Sequence, residues 1–332
     1  MEQAALFWDH TVIFWSPLIL VLAVGAGVCL FWAFYIRSGG GVAQAAAVAP
    51  LALLLSVPLA RLVHWYCRSD SYSGLAQAMT DYSGGGFALI GAFLGCFLAA
   101  ALLKAIGAVP RFLRLLDCMS LSGCAAIALG RLSCLFNASD RGPVLPWGAP
   151  LVWPICDPVS GAQEPRFATF LVQSMAAGCI FLGLTLLQRR GKPRDGDLCQ
   201  LFLLTYGASQ VVLDSTRYDA LYLSSNGFVS LVQIGNALAV VAVCILFSVR
   251  LVCARGRQPW QLLLWGGMAL LLGRAGYMEY YVQRHADQAG YAYAVMAVCM
   301  ASVAALGVLA WYLAWRRERM PTIYPVKGDT QL

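Results

Sequence analysis

The chain has 332 residues, of which 60% are hydrophobic and only 12% are charged, and its net charge is +7. A soluble protein would carry about 25% charged residues. This composition and the mean hydropathy of +0.69 therefore exclude an ordinary soluble domain. The positive charge does not indicate a nucleic-acid partner, because its distribution along the chain follows a membrane topology.

Nine apolar stretches predict transmembrane helices, since each span needs about 20 mostly apolar residues. They lie at residues 15–36, 43–66, 85–103, 115–136, 167–187, 198–213, 228–249, 260–280 and 292–315. We divide the chain into a seven-span core (1–257), an appended two-span hairpin (258–320) and a cytoplasmic tail (321–332). The predicted fold class is an all-α polytopic membrane protein. Residues 1–10 lack a basic start, so no cleavable signal peptide is expected.

Basic residues concentrate in alternate connections, and this pattern predicts the orientation of the spans. Fifteen of the 23 basic residues lie there or in the tail: Arg37, Lys104, Arg111, Arg114, Arg189, Arg190, Lys192, Arg194, Arg250, Arg255, Arg257, Arg316, Arg317, Arg319 and Lys327. The remaining connections hold most of the acidic residues. Because basic connections stay in the cytoplasm, we predict an outer N-terminus and a cytoplasmic C-terminus.

The second and third spans carry the first candidate residues. Arg61 and His64 lie at the outer end of the second span. His64 has the chemistry of a base or a ligand, although a purely interfacial histidine is more common. The other histidines, His10 and His285, are distant in sequence, so no metal site is expected. No cofactor is expected either. The run Gly84 to Gly86 either lets an anionic headgroup approach backbone amides or permits close helix packing.

Arg131 lies near the end of the fourth span, where an arginine costs about 2.5–3.5 kcal/mol on insertion scales. This cost makes it a candidate functional residue. The alternative is that its side chain extends to the interface, as is common near helix ends. The loop that follows, residues 138–165, contains six prolines, and we expect it to form a rigid flap at the membrane surface.

Polar residues recur at the end of the sixth span and the start of the seventh. Gln210, Asp214 and Arg217 share one helical face, since they are spaced four and three residues apart. The simplest interpretation of this face is a local ion pair between Asp214 and Arg217. Gln233 adds a further amide in the seventh span.

Arginines at the outer ends of separate spans run against the positive-inside rule. They are Arg61, Arg131, Arg166, Arg217 and, in the hairpin, Arg274. Membrane insertion does not explain them. They suit a site that binds an anionic lipid headgroup from the outer leaflet, because the guanidinium fork matches phosphate geometry.

The stretch from Gly130 resembles the signature of bacterial prolipoprotein diacylglyceryl transferases, Gly-Arg-x-Gly-Asn-Phe-x-Asn-Gly-Glu-x-x-Gly followed by Pro-Trp-Gly. The matching residues are Gly130, Arg131, Asn137, Gly142, Pro146, Trp147 and Gly148. Other segments similar to family motifs are Leu89 to Gly91, Leu113 to Asp117, Arg166, Tyr206 with Gly207, Asp214 with Arg217, and Ser230 with Gln233. The order is preserved over about residues 15–250 and leaves out the hairpin.

The chain departs from the family motifs at several functional positions. The family's histidine falls on Gly86, its glutamate on Ser139, its asparagine on Cys134, an arginine on Gln210, a second glutamate on Asp214 and its N-terminal tyrosine on Ser16. The chain therefore resembles a divergent member. The proposed general base of the family has no equivalent at residue 86.

The resemblance implies transfer of a diacylglyceryl group from phosphatidylglycerol to the lipobox cysteine of a prolipoprotein, in the bacterial cytoplasmic (inner) membrane. It implies catalytic roles for Arg131, Asp214 and Arg217, with Asp214 or His64 as the base. It assigns phospholipid binding to Arg61, Gly85, Gly86, Asn137, Gly142, Arg166, Tyr206, Gln210 and Gln233.

Two other hypotheses stay open at this point. The first is a non-catalytic paralogue that binds phospholipid or a prolipoprotein signal segment and acts as an adaptor, as the changes at Gly86 and Gln210 favour. The second is a transporter of lipids or small molecules. The lack of a visible inverted repeat counts against the transporter.

Overall fold

The computed structural model describes residues 4–8, 11–81, 86–156, 161–223 and 226–319. The predicted site residue Gly85 and the predicted tail lie outside these ranges. The helices are α1 (Trp15–Arg37), α2 (Val42–Cys67), α3 (Leu75–Thr80), α4 (Leu89–Ala105), α5 (Phe112–Gly130), α6 (Thr169–Gly191), α7 (Asp197–Ser215), α8 (Leu231–Arg255), α9 (Pro259–Arg284) and α10 (Ala289–Arg319). Each of the nine predicted spans overlaps one of these helices.

Six of these helices are long and apolar enough to cross a membrane: α1, α2, α5 with the 3-10 turn that follows it, α6, α8 and α10. Helix α4 is apolar but has only 17 residues. Large apolar side chains point outward where lipid would surround the protein, as at Leu263, which is 79% exposed, and Leu270, which is 74% exposed. The predicted class, an all-α polytopic membrane protein, is confirmed.

Three predicted spans begin too early in the chain. Residues 86–88 are not helical, and α4 begins at Leu89. Phe167 closes a strand, so α6 begins at Thr169. Residues 226–230 form a strand that ends at the N-cap of α8. Hydropathy cannot detect these boundaries, because the residues before each helix are also apolar. The fourth span also changes character, since residues 131–136 continue α5 as a 3-10 helix.

Three short antiparallel hairpins, which the sequence analysis did not predict, cover the ends of the helices. They are β1 (Ala4–Trp8) with β2 (Thr11–Phe14), β3 (Val152–Cys156) with β4 (Gln163–Phe167), and β5 (Tyr222–Leu223) with β6 (Asn226–Ser230). In the loop with six prolines, the pair of β3 and β4 is extended by a bridge between Val144 and Arg166. The described parts of this loop are therefore held together by strand pairing; the rigid flap at the membrane surface stays a prediction.

The helices pack closely where small residues permit it. Gly91 and Gly95 of α4 place their Cα atoms directly against the backbone of α2 near Leu59 and Ser56. Helix α10 packs against α7, α8 and α9. At Gly307 of α10, an added Cβ would lie only 2.7 Å from a methyl group of a leucine in α7. Close approach at small residues is the usual basis of helix association in membranes.

Ion pairs join several helices at the end opposite the hairpins β3–β4 and β5–β6. Arg250 of α8 forms ion pairs with Asp197 of α7 and, at 2.8 Å, with Glu318 of α10. Glu318 also accepts from Arg194, just before α7, at 3.0 Å. Nearby, the carboxylate of Asp117 in α5 accepts from the backbone N–H groups of Gly196, the N-cap of α7, and of Cys199 in its first turn, at 2.7 and 2.8 Å. Such a carboxylate satisfies donors that a helix start leaves free.

Candidate functional site

One carboxylate, that of Asp140, joins the outer ends of α5 and α7. One of its oxygens accepts a hydrogen bond from Arg131 Nη1, and the other lies 2.6 Å from Arg217 Nη2. The backbone holds Asp140 in place, because its N–H donates to Asp219 at 3.0 Å and its carbonyl accepts from the Phe170 N–H at 3.0 Å. Two predicted catalytic arginines therefore share one buried acid.

The charges of this cluster are strongly coupled. Burial raises the pKa of the Asp140 carboxyl, but Arg131 and Arg217 outweigh burial and lower that pKa to about 2. Arg217 also contacts Asp214 at 3.0 Å and Asp219 at 3.1 Å. Burial lowers the pKa of Arg217, but the three carboxylates raise it above its usual value. Asp140 and Arg217 are therefore charged at neutral pH.

Asp214 connects the cluster to the start of α8. Its second carboxylate oxygen accepts a hydrogen bond from the hydroxyl of Ser230, which is the N-cap of α8. The N–H of Gln233 donates to Ser230 Oγ at 3.0 Å, and the N–H of Ser230 donates to Gln233 Oε1 at 3.0 Å. This capping box satisfies two helix N–H groups. The predicted residues Asp214 and Gln233 are thus in one buried hydrogen-bond network.

Arg131 differs from Arg217 because it pairs with one carboxylate rather than three. Its Nη1 donates to Asp140, whereas a guanidinium carries five N–H donors. The buried hydroxyl of Tyr206 is a second, weaker partner of the same guanidinium. The Arg131 side chain is 14% exposed, so part of this arginine is accessible from outside the protein.

Two other predicted residues are held by neighbouring polar groups. Gln210 is 1% exposed, and its side-chain oxygen accepts from Gln173 Nε2 of α6 at 3.0 Å. The side-chain amide of Asn137 donates to Ser16 Oγ at 2.7 Å, which connects the signature loop to α1. Gln210 therefore joins two helices, and Asn137 orders the loop that carries Asp140.

Arg166 and Gly142 lie where the signature loop packs against strand β4. Arg166 donates through two nitrogens to one oxygen of Glu164, at 3.0 and 2.8 Å. Its guanidinium lies 4.7 Å from the ring centre of Tyr218. Gly142 donates to the carbonyl of Phe167 at 2.8 Å, and a Cβ at this position would meet Phe167 at 2.9 Å. Only glycine fits there without a shift of the loop.

Arg141 is a buried cation that the sequence analysis did not select. It is 1% exposed and donates through Nη2 to the carbonyls of Cys134 and Asn137 at 2.7 and 2.9 Å. Its guanidinium lies 4.3 Å from the ring centre of Phe170. Burial lowers its pKa. Nε and Nη1 have no hydrogen-bond partner within the described residues.

Arg61 and Gly86 lie together between α2 and α4. Arg61 is 1% exposed and donates to the carbonyls of Ala78, Asp81 and Gly86. Gly86 has a φ of 89°, and a Cβ there would lie 2.5 Å from Arg61 Nη1 and 2.8 Å from the imidazole of His64. Arg61 thus orders the loop between these helices. Its predicted contact with a lipid headgroup stays a prediction.

Sequence reasoning missed several members of the site, of which Asp140 is the most important. A loop aspartate is usually solvated, so the sequence indicates only an outer acid at this position. The available signal was electrostatic, because buried arginines require carboxylate partners, and Asp140 is the acid within the signature segment. Glu279, in the hairpin, was also missed. No group of three metal-ligating side chains occurs among the described residues.

Comparison of the sequence with known proteins identifies similar chains. A family model described as prolipoprotein diacylglyceryl transferase matches residues 4–250. Three similar proteins are named phosphatidylglycerol–prolipoprotein diacylglyceryl transferase. The one from Trichormus variabilis is 30% identical over 175 residues, which is 51% of this chain and 62% of the relative. The one from Finegoldia magna is 24% identical over 201 residues, 60% of this chain and 77% of the relative. The one from Clostridioides difficile is 26% identical over 178 residues, 53% of this chain and 67% of the relative.

The chain spans 62% of the length of the Trichormus protein. The family model covers residues 4–250, which is most of the present chain and includes the cluster around Asp140 and Gln233. The recognition made from the sequence motifs is confirmed. The chain belongs to the prolipoprotein diacylglyceryl transferase family.

Proposed function

We propose that this protein transfers the diacylglyceryl group of phosphatidylglycerol to the cysteine thiol of a prolipoprotein. The relatives carry this activity in their names. The observation that carries the proposal is Arg131, a partly exposed arginine that pairs with Asp140 and lies beside the buried hydroxyl of Tyr206. A guanidinium with a neighbouring hydroxyl is suited to an anionic phosphate oxygen, because charge-assisted hydrogen bonds are the strong ones.

The reaction forms one bond and breaks one bond. The thiolate sulfur bonds to the terminal glyceryl carbon of the diacylglyceryl group, and the bond from that carbon to the phosphate oxygen breaks. Glycerol phosphate leaves with the bonding electrons, and the thiol proton passes to a base. Arg131 is the catalytic residue, because it stabilises the charge on the leaving phosphate. No cofactor takes part in this scheme.

Arg217 and Asp214 act as positioning residues in this proposal. Each nitrogen of the Arg217 guanidinium contacts a carboxylate, and Asp214 is fully buried. They fix Asp140, which in turn orients Arg131. His64 is the candidate for the base, because its half-buried ring lies 3.3 Å from the Tyr72 hydroxyl and retains a second nitrogen for a substrate. Asp214 as the base is the alternative.

We place the protein in the bacterial cytoplasmic membrane, with the cluster around Asp140 at the outer leaflet and the C-terminus in the cytoplasm. Arg114, at the start of α5, donates to the carbonyl of Ser38 after α1 at 2.7 Å and contacts Asp195 before α7 at 3.0 Å. Several basic connections therefore meet on one side of the protein, which supports this orientation through the positive-inside rule. The partners are phosphatidylglycerol and a prolipoprotein signal segment.

The test is transfer from labelled phosphatidylglycerol to a lipobox peptide by the purified protein in lipid vesicles. We compare wild type with Arg131→Ala and with Arg284→Ala, which replaces an exposed arginine of α9. We expect Arg131→Ala to lower the transfer rate at least a hundredfold at normal abundance, and Arg284→Ala to behave as wild type. Full activity of Arg131→Ala would refute the assigned role.

A second function has a specific observation in its favour. Gln210 is a buried neutral residue that bonds to Gln173, so it adds no charge for a phosphate. A protein that binds phosphatidylglycerol vesicles through Arg131 but transfers nothing at any pH would be an adaptor. Rescue of cells depleted of their own transferase would exclude this adaptor function.

A further inference from the structure

The C-terminal hairpin, α9 and α10, lies outside the residues that match the family. It nevertheless contributes a buried carboxylate near the candidate site. Glu279 of α9 is 8% exposed, and it has no arginine or lysine partner within the described residues, which is unusual for a buried acid. A buried acid of this kind is a candidate functional residue.

The contacts of Glu279 lead directly to the network around Asp214. One oxygen of Glu279 accepts from Ser215 Oγ at 2.7 Å and from Gln233 Nε2 at 3.0 Å. Ser215 follows Asp214 in the chain. Gln233 forms the capping box with Ser230, whose hydroxyl donates to Asp214. Two hydrogen-bonded residues, Gln233 and Ser230, therefore connect Glu279 to Asp214. Ser215 provides a second connection, because it bonds to Glu279 and directly follows Asp214 in the chain.

Helix α10 also contacts the end of α7 through a polar group. The hydroxyl of Tyr293 donates to the carbonyl of Ser215 at 3.2 Å. The hairpin thus contacts both the side chain and the backbone of Ser215. A hairpin that only enlarged the hydrophobic core would not require polar groups aimed at the end of α7, since burial of an unpaired carboxylate is costly.

We propose that Glu279 is a positioning residue of the transferase site and acts on Asp214 and Arg217 through Gln233 and Ser230. This inference rests on the proposed function. The carboxylate fixes the Gln233 side chain, which orders the N-cap serine of α8. That serine orients Asp214, and Asp214 orients Arg217 against Asp140. The hairpin is then part of the active unit of this protein, although the family match ends before it.

The test compares Glu279→Ala and Glu279→Gln in the full-length protein, with Asp287→Ala as the control. Asp287 is an exposed acid of the same hairpin, located between α9 and α10. Transfer from phosphatidylglycerol to a lipobox peptide is measured together with hydrogen exchange at the backbone amides of Gln233 and Arg217. The amide readout does not depend on activity.

We expect Glu279→Ala to lower kcat at least tenfold, with KM for the peptide unchanged within twofold, and to speed exchange at both amides at least tenfold. Glu279→Gln should restore most of kcat and slow exchange, because its amide oxygen accepts the same two hydrogen bonds. Asp287→Ala should match wild type.

The outcomes separate this inference from the proposed function. If wild type transfers nothing, the proposed function fails, and the exchange data alone decide whether Glu279 orders the network. Unchanged exchange in Glu279→Ala would overturn the inference. A wild-type kcat in Glu279→Ala would overturn it as well. So would a Glu279→Gln variant that is as impaired as Glu279→Ala, because the positioning role requires the glutamine oxygen to restore the two hydrogen bonds.

Discussion

Replacement of Asp140 by asparagine tests the arrangement of charges at the site most directly. The asparagine amide would fill the same space without the negative charge, and it would leave Arg131 and Arg217 without their shared carboxylate. Both arginine side chains are largely buried, at 14% and 12% exposure. Arg217 would keep Asp214 and Asp219 as partners, but Arg131 would lose its ion pair with Asp140, and loss of one partner of a buried pair is destabilising.

The magnitude follows from the pKa of Asp140. That pKa falls from 3.8 to about 2 in the folded protein, and each pKa unit corresponds to about 1.4 kcal/mol. Asp140→Asn should therefore lower the free energy of unfolding by about 2–3 kcal/mol at pH 7. Because the folded pKa is depressed, the contribution is fully present above about pH 4 and is lost as the pH falls toward 2.

The assay is denaturant unfolding of the purified protein in detergent, followed by tryptophan fluorescence. The matched control is Asp195→Asn, which removes a pair with Arg114 at 3.0 Å; the Arg114 and Asp195 side chains are 30% and 39% exposed. An exposed pair contributes about 0–1 kcal/mol. Equal losses in the two variants, or a loss in Asp140→Asn that does not shrink below pH 4, would refute the reasoning.

Three further predictions concern the same end of the protein. Arg61→Met should speed protease cleavage in the loop between α2 and α4 at least tenfold, because three carbonyls lose their charged donor. Unchanged cleavage would mean that Arg61 does not order this loop and would leave lipid binding as its proposed role. Gly86→Ala should cost more stability than Gly107→Ala in unfolding experiments, since both glycines have positive φ but only Gly86 has side chains within 4 Å. The transfer rate should rise between pH 6 and 9 as the acceptor thiol ionises near its free pKa of about 8.5; a flat profile would mean that thiol ionisation does not limit the rate.

Sequence alone predicted the positions of the long helices, because hydropathy detects apolar segments; six of the nine predicted spans are long and apolar enough to cross a membrane. It did not predict the strand before α8 or the pairing of β3 with β4, since short apolar and proline-rich segments carry no clear period. The arginines of the site were predicted from their cost in a membrane. The ion pair of Arg217 with Asp214 was also predicted, and it is confirmed. Asp140, which pairs with both Arg131 and Arg217, was not predicted, because its burial depends on the packing of several helices. Glu279 was missed for the same reason.

The ion pairs among α7, α8 and α10 have a consequence for biosynthesis. Arg250 and Arg194 are made long before Glu318, their partner at the end of α10. Until Glu318 emerges from the ribosome, Arg250 has only Asp197 as a partner among the described residues, and α10 cannot pack against α7 and α8. We therefore expect the nascent protein to occupy the membrane in a loosely assembled state and to reach its final helix packing only when synthesis is nearly complete. Premature stop codons in α10 should then cause degradation of a chain that already contains every predicted site residue.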